Sequence, residues 1–143
     1  MPTVNGFCHV YLPARDLDKA IEFYTQNLGF SLFRRWSAAP GRDSAYCILD
    51  GVLLEMSVPQ GEAAETTFRQ EARFGLAVAD LDGLLDELRS KGVEVLPAGA
   101  PPRSFSGRQV RIKDPSGWLV ALREWDAADG PGNMDWQPPA ATA

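Results

Sequence analysis

The chain repeats itself, and the repeat limits what it can fold into. Sliding the 143-residue sequence by 64 positions lays RFGLAVADLDGLLDEL, which starts at Arg73, on HVYLPARDLDKAIEFY, which starts at His9. The shift carries Asp16, Leu17 and Asp18 onto Asp80, Leu81 and Asp82. Both segments read as a strand running into a helix. Asp16 and Asp80 stand where they can cap the helix starts, because free N–H groups and the helix dipole favour an anionic side chain there. Leu17, Ala20, Ile21, Tyr24 and Leu28 give the first helix an apolar stripe, and Leu81, Leu84, Leu85 and Leu88 give the second one. Gly29 and Gly92 are the expected stops.

Further strands are predicted after each helix, at 30–37, 44–49 and 52–58 in the first half and at 93–96, 108–113 and 118–125 in the second. Loops rich in Ala, Gly and Pro at 38–43 and 97–107 separate them, while Asp50-Gly51 and the DPSG run at 114–117 read as tight turns. Residues 59–72 link the halves. The expected class is therefore α+β: two tandem βαβββ modules, 6–58 and 73–125, whose curved four-stranded mixed sheets form a cup or barrel. Neither module can bury its sheet alone, so the modules pair within one chain or between two. Together they make one domain over residues 1–128, with a polar, Pro/Gly-rich, mobile tail over 129–143.

Composition narrows the function classes. A 45% hydrophobic content excludes a disordered chain, yet no apolar run approaches the length of a membrane span. The start MPTVNGFCHV lacks the basic head and apolar core of a signal peptide, so a cytoplasmic protein with no membrane partner is expected. Lys and Arg total 14 against 19 Asp and Glu, for a formal charge of −5, and no Lys/Arg-rich run supplies a face for nucleic acid. The acidic balance mildly favours cationic small molecules. Cys8 and Cys47 form no CxxC pair and are expected to be reduced and buried.

The ordered motifs HVYLPARDLDKAIEFYTQNLGF, LLEM at 53–56, AVADLD at 77–82 and IKDPSGWLVAL at 112–122 resemble the vicinal oxygen chelate superfamily. That superfamily includes glyoxalases, extradiol dioxygenases, fosfomycin-resistance enzymes and bleomycin-resistance proteins, and the resemblance spans residues 6–125. In its enzymes, the resemblance implies, four strand positions hold one divalent metal at the floor of the cup, leaving open positions for substrate oxygens. Carried over, these positions are His9, Glu55, Arg73 and Ala121. His9 and Glu55 fit, but arginine stays protonated and alanine offers no ligand atom. Glu124 is no substitute for the carboxylate missing at Ala121, because alternation points it to the opposite face. With one histidine in the chain, the usual two-His set cannot be assembled.

The expected cofactor is therefore none, with one divalent metal as the alternative. SGRQVRIKDPSGW is similar to the bleomycin-resistance branch, whose members sequester a drug without chemistry. The candidate ligand-binding residues are His9, Tyr11, Glu55, Ser57, Arg73 and Arg123, with Phe33, Trp36, Phe105 and Trp118 as aromatic contacts. A Glu55–Arg73 ion pair, with His9 as a third member, is expected to replace the metal centre. The leading expectation is a metal-independent, homodimeric, small-molecule binding protein of the antibiotic-resistance type. The alternatives are a metal-dependent lyase or dioxygenase with a degenerate ligand set, and a protein that keeps the fold for interaction only. Net charge favours a cationic ligand and an unpaired, inward Arg123 an anionic one. Inside a cup, the local charge outweighs the total.

Overall fold

The computed structural model describes residues 4–5, 7–69, 73–97 and 107–126, and only the backbone of Ala63 and Arg73. The expected mobile tail lies outside the described residues. In chain order the elements are β1 (His9–Pro13), α1 (Leu17–Asn27), β2 (Ser31–Ser37), β3 (Asp43–Leu49), β4 (Val52–Ser57), α2 (Ala63–Thr67), β5 (Arg73–Ala77), α3 (Leu81–Ser90), β6 (Arg108–Lys113) and β7 (Leu119–Glu124). The chain divides into two compact units, Met1–Ala72 with Asp114–Trp118, and Arg73–Lys113 with Leu119–Ala143.

The first unit carries a four-stranded mixed sheet in the order β1-β4-β3-β2, with β1 parallel to β4 and the other pairs antiparallel. Strand alternation sends Leu12, Ala45, Cys47, Leu54 and Met56 to one buried face. Helix α1 covers that face with Leu17, Ala20, Phe23 and Tyr24. Its start is capped as expected, the Asp16 carboxylate accepting from the Lys19 N–H at 3.0 Å. Asp50 and Gly51 both take positive φ (49° and 75°), the pairing that a two-residue hairpin turn of matching twist requires. Burial pushes the Cys47 thiol up to about 11. Cys8, expected to be buried as well, is exposed because it precedes β1 instead of lying within a strand.

The turn Asp114–Trp118 belongs to this unit. The buried Asp114 carboxylate accepts from the Tyr24 hydroxyl at 2.8 Å and from the backbone N–H groups of Ser116 (2.8 Å) and Trp118 (2.9 Å). The Trp118 indole donates to the Pro13 carbonyl at 2.6 Å and stacks on Phe68, whose ring also carries the Arg15 guanidinium. Phe68 closes α2, a short helix in the 59–72 stretch that the sequence left as a plain link.

The second unit repeats the plan with fewer strands, in the order β5-β7-β6. The 64-residue shift carries the bounds of β1 onto those of β5 and the start of α1 onto that of α3. Asp80 caps α3 through the Gly83 N–H at 3.0 Å, and a Cβ at Gly83 would collide with that same carboxylate. At the other end Gly92 (φ 76°) donates to Arg89 and Val93 to Leu88, the glycine-terminated Schellman arrangement.

The expected fourth strand at 93–96 is not formed. This segment makes only an isolated bridge, Val95 to Ile112, flanked by hydrogen bonds from Leu96 N–H to Arg111 and from Lys113 N–H to Glu94. Pro97 follows with no N–H to extend the ladder, so the second sheet has three strands, not four. Neither sheet closes on itself, which sets aside the barrel form.

Burial raises the Asp114 carboxyl above the ordinary aspartate range against the opposing hydrogen bonds from Tyr24, Trp118, Ser116 and Gly117. Asp114→Ala strands these donors, and we expect it to cost about 3 kcal/mol by urea denaturation, with Asp114→Asn costing less. A carboxyl raised on folding stabilises below its unfolded value, near 3.9, and loses that contribution as the pH rises through its folded value. The stability of the native chain relative to Asp114→Asn should therefore fall with rising pH across that window and be flat above it.

Candidate functional site

Alternation leaves the other face of the first sheet to polar and aromatic side chains. Register sets Glu55 of β4 between Tyr11 of β1 and Tyr46 of β3. The His9 Nε2 lies 3.4 Å from Glu55 Oε2, and the Tyr11 hydroxyl is hydrogen-bonded to Ser57 Oγ at 2.8 Å. The Tyr46 ring stands edge-on to His9 at 6.4 Å and tilted against Trp36 at 4.7 Å. Arg34 pairs with Tyr46 across β2 and β3, so its backbone position falls on the same row. His9, Tyr11, Glu55, Ser57 and Trp36 are thus brought onto one face.

Tyr46 and Arg34 were missed. The Asp50-Gly51 turn carried the signal for Tyr46, because a two-residue hairpin fixes the register that sets Tyr46 opposite Glu55. For Arg34 there was none: β2 shifts register between Leu32 and Arg34, an irregularity with no marker in the sequence. Phe33 lies in that shift and is exposed. Trp118, expected as an aromatic contact, is packed inside the first unit. It is 5% exposed, committed to Phe68 and Pro13, because the turn that carries it packs into the first unit's core. Phe105 and the Arg73 side chain lie outside the described residues, as does the expected Glu55–Arg73 pair; the described partner of Glu55 is His9.

In the second unit, Ile112, Val120 and Leu122 are buried on one face, while Gly75, Ala121, Gln109, Arg111, Lys113 and Arg123 alternate to the other. Arg123, expected to be unpaired, has partners: its guanidinium lies 4.1 Å over the Trp125 ring and reaches Gln109 Oε1 at 3.4 Å. Glu124 points away from Ala121 as alternation requires. Its Oε2 accepts from the Leu81 N–H at 2.7 Å and its Oε1 pairs with Arg108 at 3.0 Å. Those two contacts, the backbone one first, hold its carboxyl below the usual range and assign it to the start of α3.

Comparison with known proteins bears on this geometry. Residues 6–122 match the model of the Glyoxalase/Bleomycin resistance protein/Dioxygenase superfamily. The chain belongs to that superfamily. It is 26% identical to the "Probable lactoylglutathione lyase" of Vibrio cholerae, over 80% of this chain and 86% of that protein. Identity to the metallothiol transferase FosB of Shouchella clausii is 24%, over 88% and 84% of the two chains. Among solved structures, the fold is shared with TnmS3, an antibiotic binding protein from a Streptomyces species (TM-score 0.67, 20% identity, 88% of this chain and all of that one). It is likewise shared with the fosfomycin resistance protein FosX of Listeria monocytogenes (TM-score 0.71, 16% identity, 87% and 94%).

A superfamily metal centre built on the four implied positions does not suit this chain's donors. His9 and Glu55 supply an imidazole and a carboxylate in contact with each other. Ala121, paired in register with Gly75 and Arg111, supplies only a methyl group, and residue 73 is an arginine. Among the described residues no group of three or more His, Cys, Asp or Glu side chains is placed to hold a metal ion.

The His9–Glu55 contact is partly open to solvent, with the imidazole 44% exposed, so it adds little to stability. His9→Ala and Glu55→Gln should each change unfolding free energy by less than about 1 kcal/mol in urea titration. A larger loss would mark the pair as part of the framework.

Proposed function

We propose that this superfamily member is a metal-independent binding protein that sequesters a small molecule, with the first sheet's open face as its contact surface. The observation that carries the reading is the donor set, in which His9 and Glu55 engage each other while positions 73 and 121 hold arginine and alanine. A divalent ion needs at least three protein donors to be held well, and a fixed cation in the set opposes it. On this reading Trp36 and Tyr46 offer a tilted aromatic wall, Glu55 a carboxylate, and the linked hydroxyls of Tyr11 and Ser57 a polar edge. Antibiotic sequestration is the physiological form proposed, in line with the fold shared with an antibiotic binding protein. The proposal includes a homodimer, supported by the exposed Leu32 and Phe33 on edge strand β2.

The similarity to a lactoylglutathione lyase and to a metallothiol transferase supports a second reading, a metal-dependent enzyme whose ligand set is completed by water or substrate. Metal analysis separates the two. The protein purified without chelator, then dialysed against Zn, Ni, Mn or Fe(II), should retain well below one equivalent per chain. One equivalent retained by the native chain and lost in His9→Ala would overturn the binding-protein reading.

A further inference from the structure

The open face of the second sheet has a chemistry of its own. On β6, Gln109, Arg111 and Lys113 alternate onto it, and on β7, Ala121 and Arg123 do so. Among the described residues of β5, β6 and β7 none on this face is acidic, and the one carboxylate brought beside it is Glu94, which the Val95–Ile112 bridge sets opposite Lys113. Among the described residues, the other carboxylates of this unit are engaged elsewhere. Glu124 and Asp82 bind Arg108 on the opposite side of β6 and β7, while Glu94 pairs with Lys113 at 3.7 Å and leaves Arg111 without it. Arg111 is half-buried and, among the described residues, has no carboxylate partner. It lies directly across from Ala121, which in turn pairs with Gly75. Beside this arginine the sheet is therefore floored by a methyl group and a bare backbone. A Cβ added at Gly75 would meet only Ala121, at an ordinary 3.7 Å.

A half-buried guanidinium without a counter-charge is costly unless a ligand supplies one. Its planar fork matches a carboxylate or phosphate group bidentately. The small residues leave flat, shallow space next to the fork, the shape that accepts a planar carbon skeleton. We propose that the β5-β7-β6 face receives an organic anion, its carboxylate or phosphate group on Arg111 and its skeleton over Gly75 and Ala121. Arg123, held in place by Trp125, adds field along the same row, while the charge of Lys113 is offset by Glu94. The proposal does not depend on the metal-free reading, since metal content and anion preference are measured separately.

The test is calorimetric titration and thermal shift of the full chain with benzoate, phenyl phosphate, inorganic phosphate and benzamidine. Benzoate or phenyl phosphate should bind and raise the melting temperature, and which of them binds more tightly identifies the group. Benzamidine, the cationic counterpart, should not compete with the aryl anions, and any binding of its own at the Glu55 face should be untouched by Arg111→Gln. Arg111→Gln should weaken the aryl anion by about tenfold or more, the scale of losing a charge-assisted pair. Gly75→Val, which fits the strand and leaves every charge in place, should weaken the aryl anions while sparing inorganic phosphate. Lys91→Gln, a charge loss on the C-cap of α3, should leave binding unchanged. Absence of aryl-anion binding, displacement of the aryl anion by benzamidine, or full affinity in a folded Arg111→Gln protein would overturn the proposal. Equal loss in Lys91→Gln would do so too, because it would reduce the effect to net charge.

Discussion

A carboxylate on a turn organises the first unit. Asp114 is distant in sequence from the helix and strands it joins, yet its two oxygens take the Tyr24 hydroxyl and two backbone N–H groups of its own loop. The same loop carries Trp118, which fills the space between Pro13 and Phe68. The strands on either side of this turn belong to the second unit. The first unit therefore has no complete core until the last third of the chain has been made. Folding that must wait for a distant segment pays loop closure before it gains packing.

What the sequence disclosed follows from which forces are local. The repeat, both aspartate caps, the glycine stops and the Asp50-Gly51 turn depend on residues within a few positions of each other, and each is found where it was expected. The short strand at 93–96 failed because a run of β-formers before a proline does not reveal whether a partner extends its ladder. Helix α2 and the burial of Trp118 are set by a contact between Phe68 and a turn far along the chain, which no local pattern encodes. At the candidate site, alternation sorted side chains by face correctly. Tyr46 required the register across a hairpin, and the register shift in β2 had no marker at all.

The repeats share a backbone plan but have diverged in chemistry on their open faces. Equivalent register positions carry Tyr46 and Arg111, Tyr11 and Gly75, and Glu55 and Ala121. One face thus became aromatic and hydroxyl-rich with a carboxylate, and the other cationic and shallow. The formal charge of −5 averages over this contrast and conceals it. Short-range contacts are decided by the side chains within a Debye length, so the face and not the total sets which ligands are accepted.

Gly83 carries a lesson for anyone wishing to make the protein hardier. A glycine in the first turn of α3 looks like an invitation to substitute alanine, which is worth about 1 kcal/mol in helix propensity. The new methyl group would crowd Asp80 Oδ2, but the equivalent position in α1 is Lys19, whose Cβ coexists with an intact Asp16 cap at 3.0 Å. The cap therefore survives a small turn of the carboxylate, and Gly83→Ala keeps most of the propensity gain that the glycine forgoes.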